Sequence, residues 1–121
     1  MKIWRKIWLF CLGGCLDMGL ELAWRQRSHW SMFLAGGVCF TILGRIPRKW
    51  PPALRAAAGA VAITLVELTA GLLFNRDHRV WDYRDQPGNL WGQICPLFTL
   101  LWIPVSLVGM GLYRRLERHL P

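Results

Sequence analysis

Residues 53–74 read ALRAAAGAVAITLVELTAGLLF. Beyond Arg55 the only charge in this segment is Glu67. Its length falls within the roughly 17–25 apolar residues that a helix needs to cross hydrocarbon. It is closed by Pro51-Pro52 on one side and by the polar Asn75-Arg76-Asp77-His78 on the other. A membrane span with one buried acid is the expectation, and the rest of the chain repeats the pattern.

Outward from it, three more apolar runs suit spans at residues 7–24, 30–46 and 89–113. The second of these is the shortest. Across all 121 residues, hydrophobic side chains make up 54% and charged ones 18%, which excludes a disordered chain and is unusual for a soluble domain. The charges gather between the runs. The expected fold is a single all-α integral membrane domain over residues 1–121, with four transmembrane helices and a kinked fourth.

Orientation follows from the basic residues. The N-terminus, second loop and C-terminus hold ten Lys and Arg (Lys2, Arg5, Lys6; Arg45, Arg48, Lys49, Arg55; Arg114, Arg115, Arg118), against five in the first and third loops (Arg25, Arg27; Arg76, Arg79, Arg84). Both termini are therefore expected in the cytoplasm. The net charge of +8 is no sign of nucleic acid, because these residues stand at the ends of apolar runs and form no stripe on a polar face. Cys11, Cys15, Cys39 and Cys95 lie within the apolar runs and read as small hydrophobes, with no metal or disulfide framework. A lipoprotein signal ending at Cys15 is disfavoured, since only Ile7–Leu12 precede it as an apolar core and the apolar pattern continues beyond.

Three acids fall inside the expected spans: Asp17, Glu21 and Glu67. An acid near mid-bilayer costs roughly 2.5–3.5 kcal/mol, so each needs a compensating environment. Asp17 and Glu67 each precede the outer end of their span by seven residues, which gives them one depth, with Glu21 a turn shallower. Asn89 and Gln93 enter from the same side. The plain alternative is that these groups satisfy one another, with Glu21 paired to Arg25 at the i,i+4 spacing. Gly13-Gly14, Gly36-Gly37, Ala56–Ala60 and Ala70-Gly71 allow close helix approach. Pro96 and Pro104 would free the carbonyls of Gly92 and Leu100 inside the fourth span.

The third loop, RVWDYRDQPGNLWGQI at 79–94, concentrates polar and aromatic residues. Trp81, Tyr83 and Trp91 suit the headgroup layer, Asp82 and Asp85 can pair with nearby arginines, and Asn89 can cap the fourth helix. The candidate ligand-binding set is Asp17, Glu21, Glu67, Trp81, Asp82, Tyr83, Asn89 and Gln93, suited to a cation or polar solute. No nucleophile–base pair or metal-ligand spacing is present, and no enzyme activity is expected.

Arg79-Val-Trp-Asp-Tyr83, Pro87, Asn89, Gly92, Ile94-Cys95 and Trp102 together resemble the signature of small bacterial membrane proteins grouped as type IV ABC transporters. Glu67 with Gly71 is similar to that family's Glu-x-x-x-Gly helix, and Gly13-Gly14 with Glu21 loosely resembles its first helix. Arg84 departs from the pattern, standing where a small hydroxyl residue is expected. The resemblance implies a multi-pass protein of the bacterial inner membrane that takes part in transport. No Gly-x-x-x-x-Gly-Lys-Ser/Thr loop is present, so ATP would have to be handled by a separate ATPase subunit. Homo-oligomers or further membrane subunits are expected partners beside the lipid bilayer. Two alternatives stay open: a small proton-coupled exporter, and a noncatalytic scaffold for a membrane complex.

Overall fold

The computed structural model describes residues 3–25, 29–79 and 81–119. They form four helices: α1 Ile3–Arg25, α2 Trp30–Arg45, α3 Pro52–Phe74 and α4 Pro96–His119. Among the described residues there is no strand, only an isolated bridge between Leu90 and Ile94. Two helices, α3 and α4, are long and apolar enough to cross a membrane. Only 28% of the apolar window of α3 and 17% of that of α4 is buried. A core helix of a soluble protein would be mostly covered, so these two carry their apolar surface outward.

The chain divides into two compact units, residues 1–46 with 108–121, and residues 47–107. In the first, α1 and α2 pack antiparallel through paired glycines. Gly36 faces Asp17 and the Gly13 carbonyl, where a β-carbon would stand 2.9 Å from that oxygen. Gly37 meets the Phe10 ring, and Gly14 meets Phe33, whose carbonyl would lie 2.6 Å from an added β-carbon. Backbones this close leave no room for side chains, and dispersion contacts replace them. Phe10 and Phe33 meet edge to face at 6.1 Å. His29 caps α2, its Nδ1 accepting from the Ser31 backbone N–H at 3.2 Å. Leu9, Phe40 and Tyr113 form this unit's buried cluster, with the Phe40 and Tyr113 rings edge to face at 5.2 Å. The expected Glu21–Arg25 pair involves a side chain, that of Arg25, outside the described ones.

In the second unit the buried positions of α3 are Ala56, Gly59, Ala60, Ile63, Ala70 and Gly71. That stripe of mostly small residues follows the helical repeat, while Val61 (56% exposed), Leu65 (58%) and Leu73 (64%) cover the opposite face. Small side chains inside and large apolar ones outside invert the arrangement of a soluble helix and match helices that pack within lipid. Pro52 occupies the first turn, where its missing N–H goes unneeded. Thr64 donates to Thr99 Oγ1 at 3.3 Å, and Thr99 donates to the Cys95 carbonyl at 3.0 Å, tying α3 to the start of α4.

The expected boundaries hold closely for α2 and α3. The fourth helix differs: it begins at Pro96, not Asn89, and runs on to His119. Trp91 and Gly92 adopt left-handed backbone angles (φ 53° and 68°), which no helix can include. Pro96 also disfavours helical geometry at Cys95. Pro96 thus starts α4 instead of interrupting it, and the Gly92 carbonyl accepts from Tyr83 N–H at 2.9 Å. Pro104 lies inside the helix, as expected.

Candidate functional site

Glu67, Gly71 and Asn75 follow one another at intervals of four, so they form a ladder along one face of α3. Each rung receives one part of the loop between α3 and α4.

Asn75 ends α3. Its backbone N–H reaches the Gly71 carbonyl at 2.9 Å, and the residue is fully buried. Its side-chain amide donates to the Trp81 carbonyl at 2.7 Å and to Gln93 Oε1 at 2.9 Å. Its side-chain oxygen accepts from Trp81 N–H at 3.3 Å, and its own carbonyl accepts from Gln93 Nε2 at 2.9 Å. The indole of buried Trp81 donates to the Gln93 carbonyl at 2.9 Å. A buried amide pair whose donors and acceptors meet in this way fixes a unique loop geometry, because breaking one bond strands the others. Gly71 makes it possible, since a β-carbon there would collide with the Gln93 side-chain amide.

One turn along α3 from Gly71, Glu67 is half-buried on the small-residue stripe. Tyr83 donates its phenolic hydrogen to Glu67 Oε2 at 2.9 Å. Its ring lies flat on Phe98 at 4.8 Å, and the residue is almost fully buried. The loop therefore places a hydroxyl directly on an acid within an apolar helix. A carboxyl group held this way has a donor whose presence depends on loop docking. Anything that lifts the loop changes the solvation of the acid.

Asp82 and Asn89 serve the loop itself. Arg84 grips Asp82 in a fork, Nε to Oδ1 at 2.9 Å and Nη2 to Oδ2 at 2.7 Å, and its backbone N–H adds a bond to Oδ1 at 2.9 Å. These contacts, led by the side-chain fork, pull the Asp82 pKa down to about 2. Asn89 does not cap α4, which starts later. It donates to the carbonyls of Gln86 and Arg84 at 2.9 and 3.2 Å and accepts from Gly92 N–H at 2.9 Å. An asparagine bonded to its own neighbourhood in this way is a turn device.

Of the eight sequence-derived candidates, Glu67, Trp81, Tyr83 and Gln93 belong to this network, while Asp82 and Asn89 shape the loop beside it. Asp17 and Glu21 lie on α1 in the other unit, with Asp17 against Gly36. Asn75 and Phe98 were not among the candidates. Asn75 could have been found from the four-residue repeat that already linked Glu67 to Gly71; Phe98 had no signal apart from its aromatic character.

Comparison with known proteins adds one finding. A family model described as Putative ABC-transporter type IV matches residues 8–119, nearly the whole chain. No curated protein and no solved structure matches it significantly.

Proposed function

Because the chain belongs to the Putative ABC-transporter type IV family, we propose that it is a membrane-embedded component of an ABC-type transport system in the bacterial inner membrane. All four helices act as spans in this reading, with both termini in the cytoplasm. The chain does no catalysis itself, and a separate subunit supplies ATP hydrolysis. Glu67 is the polar centre of the solute path, binding a cation or a polar solute with Gln93 beside it, and Asp17 and Glu21 bind the same class of ligand within their own unit. The Trp81–Asn89 loop acts as its gate.

The observation behind this reading is the Tyr83–Glu67 bond of 2.9 Å. It links an acid on the packed face of an apolar helix to a loop held by a separate buried amide network. Tyr83 belongs to the loop and Glu67 to the helix, so the bond couples docking of the loop to the environment of the acid. In cells, purification of a tagged chain from native membranes should recover an ATPase subunit. Glu67→Gln should then abolish transport by that complex while membrane insertion stays normal. Recovery of the chain with no nucleotide-binding partner, or full transport by Glu67→Gln, rejects the reading.

A further inference from the structure

A cleft of about 720 Å³ opens where α3 ends and the loop folds back. Leu72, Arg76, His78, Arg84, Trp91 and Gln93 are among the residues that line it, and no carboxylate is found among the described lining residues. Of the loop's acids, Asp77 pairs with Arg79 at 3.2 Å, and Asp82 sits on the guanidinium of Arg84 itself at 2.7 Å. Both lining guanidiniums are oriented by fixed partners. Arg76 Nε donates to the Leu72 carbonyl at 2.8 Å, and the Asp82 fork sets the plane of Arg84.

The cleft wall is also held in an unfavourable backbone conformation. His78 and Trp91 both sit in the left-handed region, at φ 59° and 53°, which bulky side chains seldom adopt. They are joined to each other, His78 Nε2 donating to the Trp91 carbonyl at 2.9 Å. Gly92 lets them close up, since a β-carbon there would stand 2.5 Å from Arg84 Cγ and 2.7 Å from His78 Nε2. The result exposes the Trp91 side chain, 63% accessible, beside Leu72 at the rim. The left-handed backbone at His78 and Trp91 thus holds an indole at the mouth of the cleft, next to its guanidiniums.

We propose that this cleft binds a phosphate-bearing ligand, with Arg76 and Arg84 on the phosphate oxygens and Trp91 and Leu72 against its less polar portion. Planar guanidiniums match the oxygen pairs of a phosphate, and an indole beside them suits the boundary between headgroup and acyl chain. A lipid headgroup and free phosphate share this chemistry. Only the lipid source rests on the membrane reading given above.

The test uses the full chain in bilayer discs of equimolar phosphatidylcholine and phosphatidylglycerol, released gently, with retained lipids counted by native mass spectrometry. The wild type should keep phosphatidylglycerol preferentially. Arg76→Gln should lower the retained ratio about three- to tenfold, the effect of losing one ordinary hydrogen-bonded contact. Arg76→Lys should lower it less. Arg48→Gln, which removes the same charge from a different loop, should leave it unchanged. Inorganic phosphate, titrated calorimetrically into lipid-depleted protein, tests the other source. Binding of phosphate that Arg76→Gln abolishes, without lipid preference, supports the site with a soluble ligand. Equal loss in Arg76→Gln and Arg48→Gln, or neither lipid preference nor phosphate binding, overturns it. Unchanged melting temperatures guard against misfolded variants, and Trp91→Ala gives a second variant that removes no charge. No transport partner enters these measurements, so this proposal and the transport reading can fail separately.

Discussion

At the residue scale the most informative contact is the hydroxyl of Tyr83 on Glu67. Tyr83→Phe keeps the ring on Phe98 and removes only the donor, so its cost isolates the hydrogen bond. A loss of about 1–3 kcal/mol in unfolding free energy is expected, the range for depriving a buried polar group of its partner. A double-mutant cycle with Glu67→Ala, which removes the acceptor, should return a coupling of roughly 1 kcal/mol between the two side chains. Strictly additive effects would mean that the bond contributes nothing in solution. Asp82 is a second single-residue case. Its pKa falls from the ordinary 3.8 to about 2 because Arg84 binds the charged form. A depressed value means the pair favours the folded loop at pH above 3.8, and that this contribution disappears as the pH drops through about 2. Carbon-13 NMR of the Asp82 carboxyl should titrate near 2 in the wild type and near the ordinary value in Arg84→Gln. An ordinary value in both would dissolve the ion pair.

Among the elements, what the sequence revealed and what it hid divide along a physical line. Apolar length and flanking prolines located α2 and α3 to within a residue or so, because helices of that composition have few other ways to bury or pair their backbone. The place of Glu67 on the packed face of α3, four residues before Gly71, was also legible, since it follows from counting along a helix. Its partner was not. Tyr83 comes from a loop whose path depends on left-handed backbone at Trp91 and Gly92, and a tryptophan at positive φ has no sequence signature. The same blind spot put the start of α4 too early: Leu90, Trp91, Ile94 and Cys95 look like a continuing apolar run, yet they close a turn. Glycines on packed faces are the elements' weakest points. Gly71→Ala would drive a methyl group into the Gln93 amide and loosen the Asn75 network. A cost of about 1–3 kcal/mol is expected, as for other overpacked interiors. The readout should be local: faster proteolysis between α3 and α4, with the α1–α2 pair unaffected. Gly36→Ala should do the reverse, since its β-carbon meets Asp17 and the Gly13 carbonyl. If both variants loosen the same segment, the two units are not separately stabilised.

For the whole molecule the open quantity is how many helices cross. α3 and α4 have the length and composition to do so, whereas α2 has 16 residues. At about 1.5 Å per residue it reaches roughly 24 Å, short of a hydrocarbon layer of about 30 Å. Trp30 at one end and Arg45 at the other could close that gap by anchoring and snorkelling, at a cost of fractions of a kcal/mol per Å. Four spans and two spans agree about Arg48 and Asp85, because α3 alone separates those positions. They disagree at the connection between α1 and α2, which four spans place on the same side as Asp85 and two spans leave with Arg48. Single cysteines at residues 28, 48 and 85, in a chain whose own four cysteines are changed to Ala, make the distinction with an impermeant maleimide on intact cells. Four spans predict labelling at 28 and 85, with 48 reacting only after permeabilisation. Protection at 28 with labelling at 85 would reduce α1 and α2 to a hairpin on the cytoplasmic side. Asp17 and Glu21 would then have no part in transport, which Glu67 and the loop would have to serve alone.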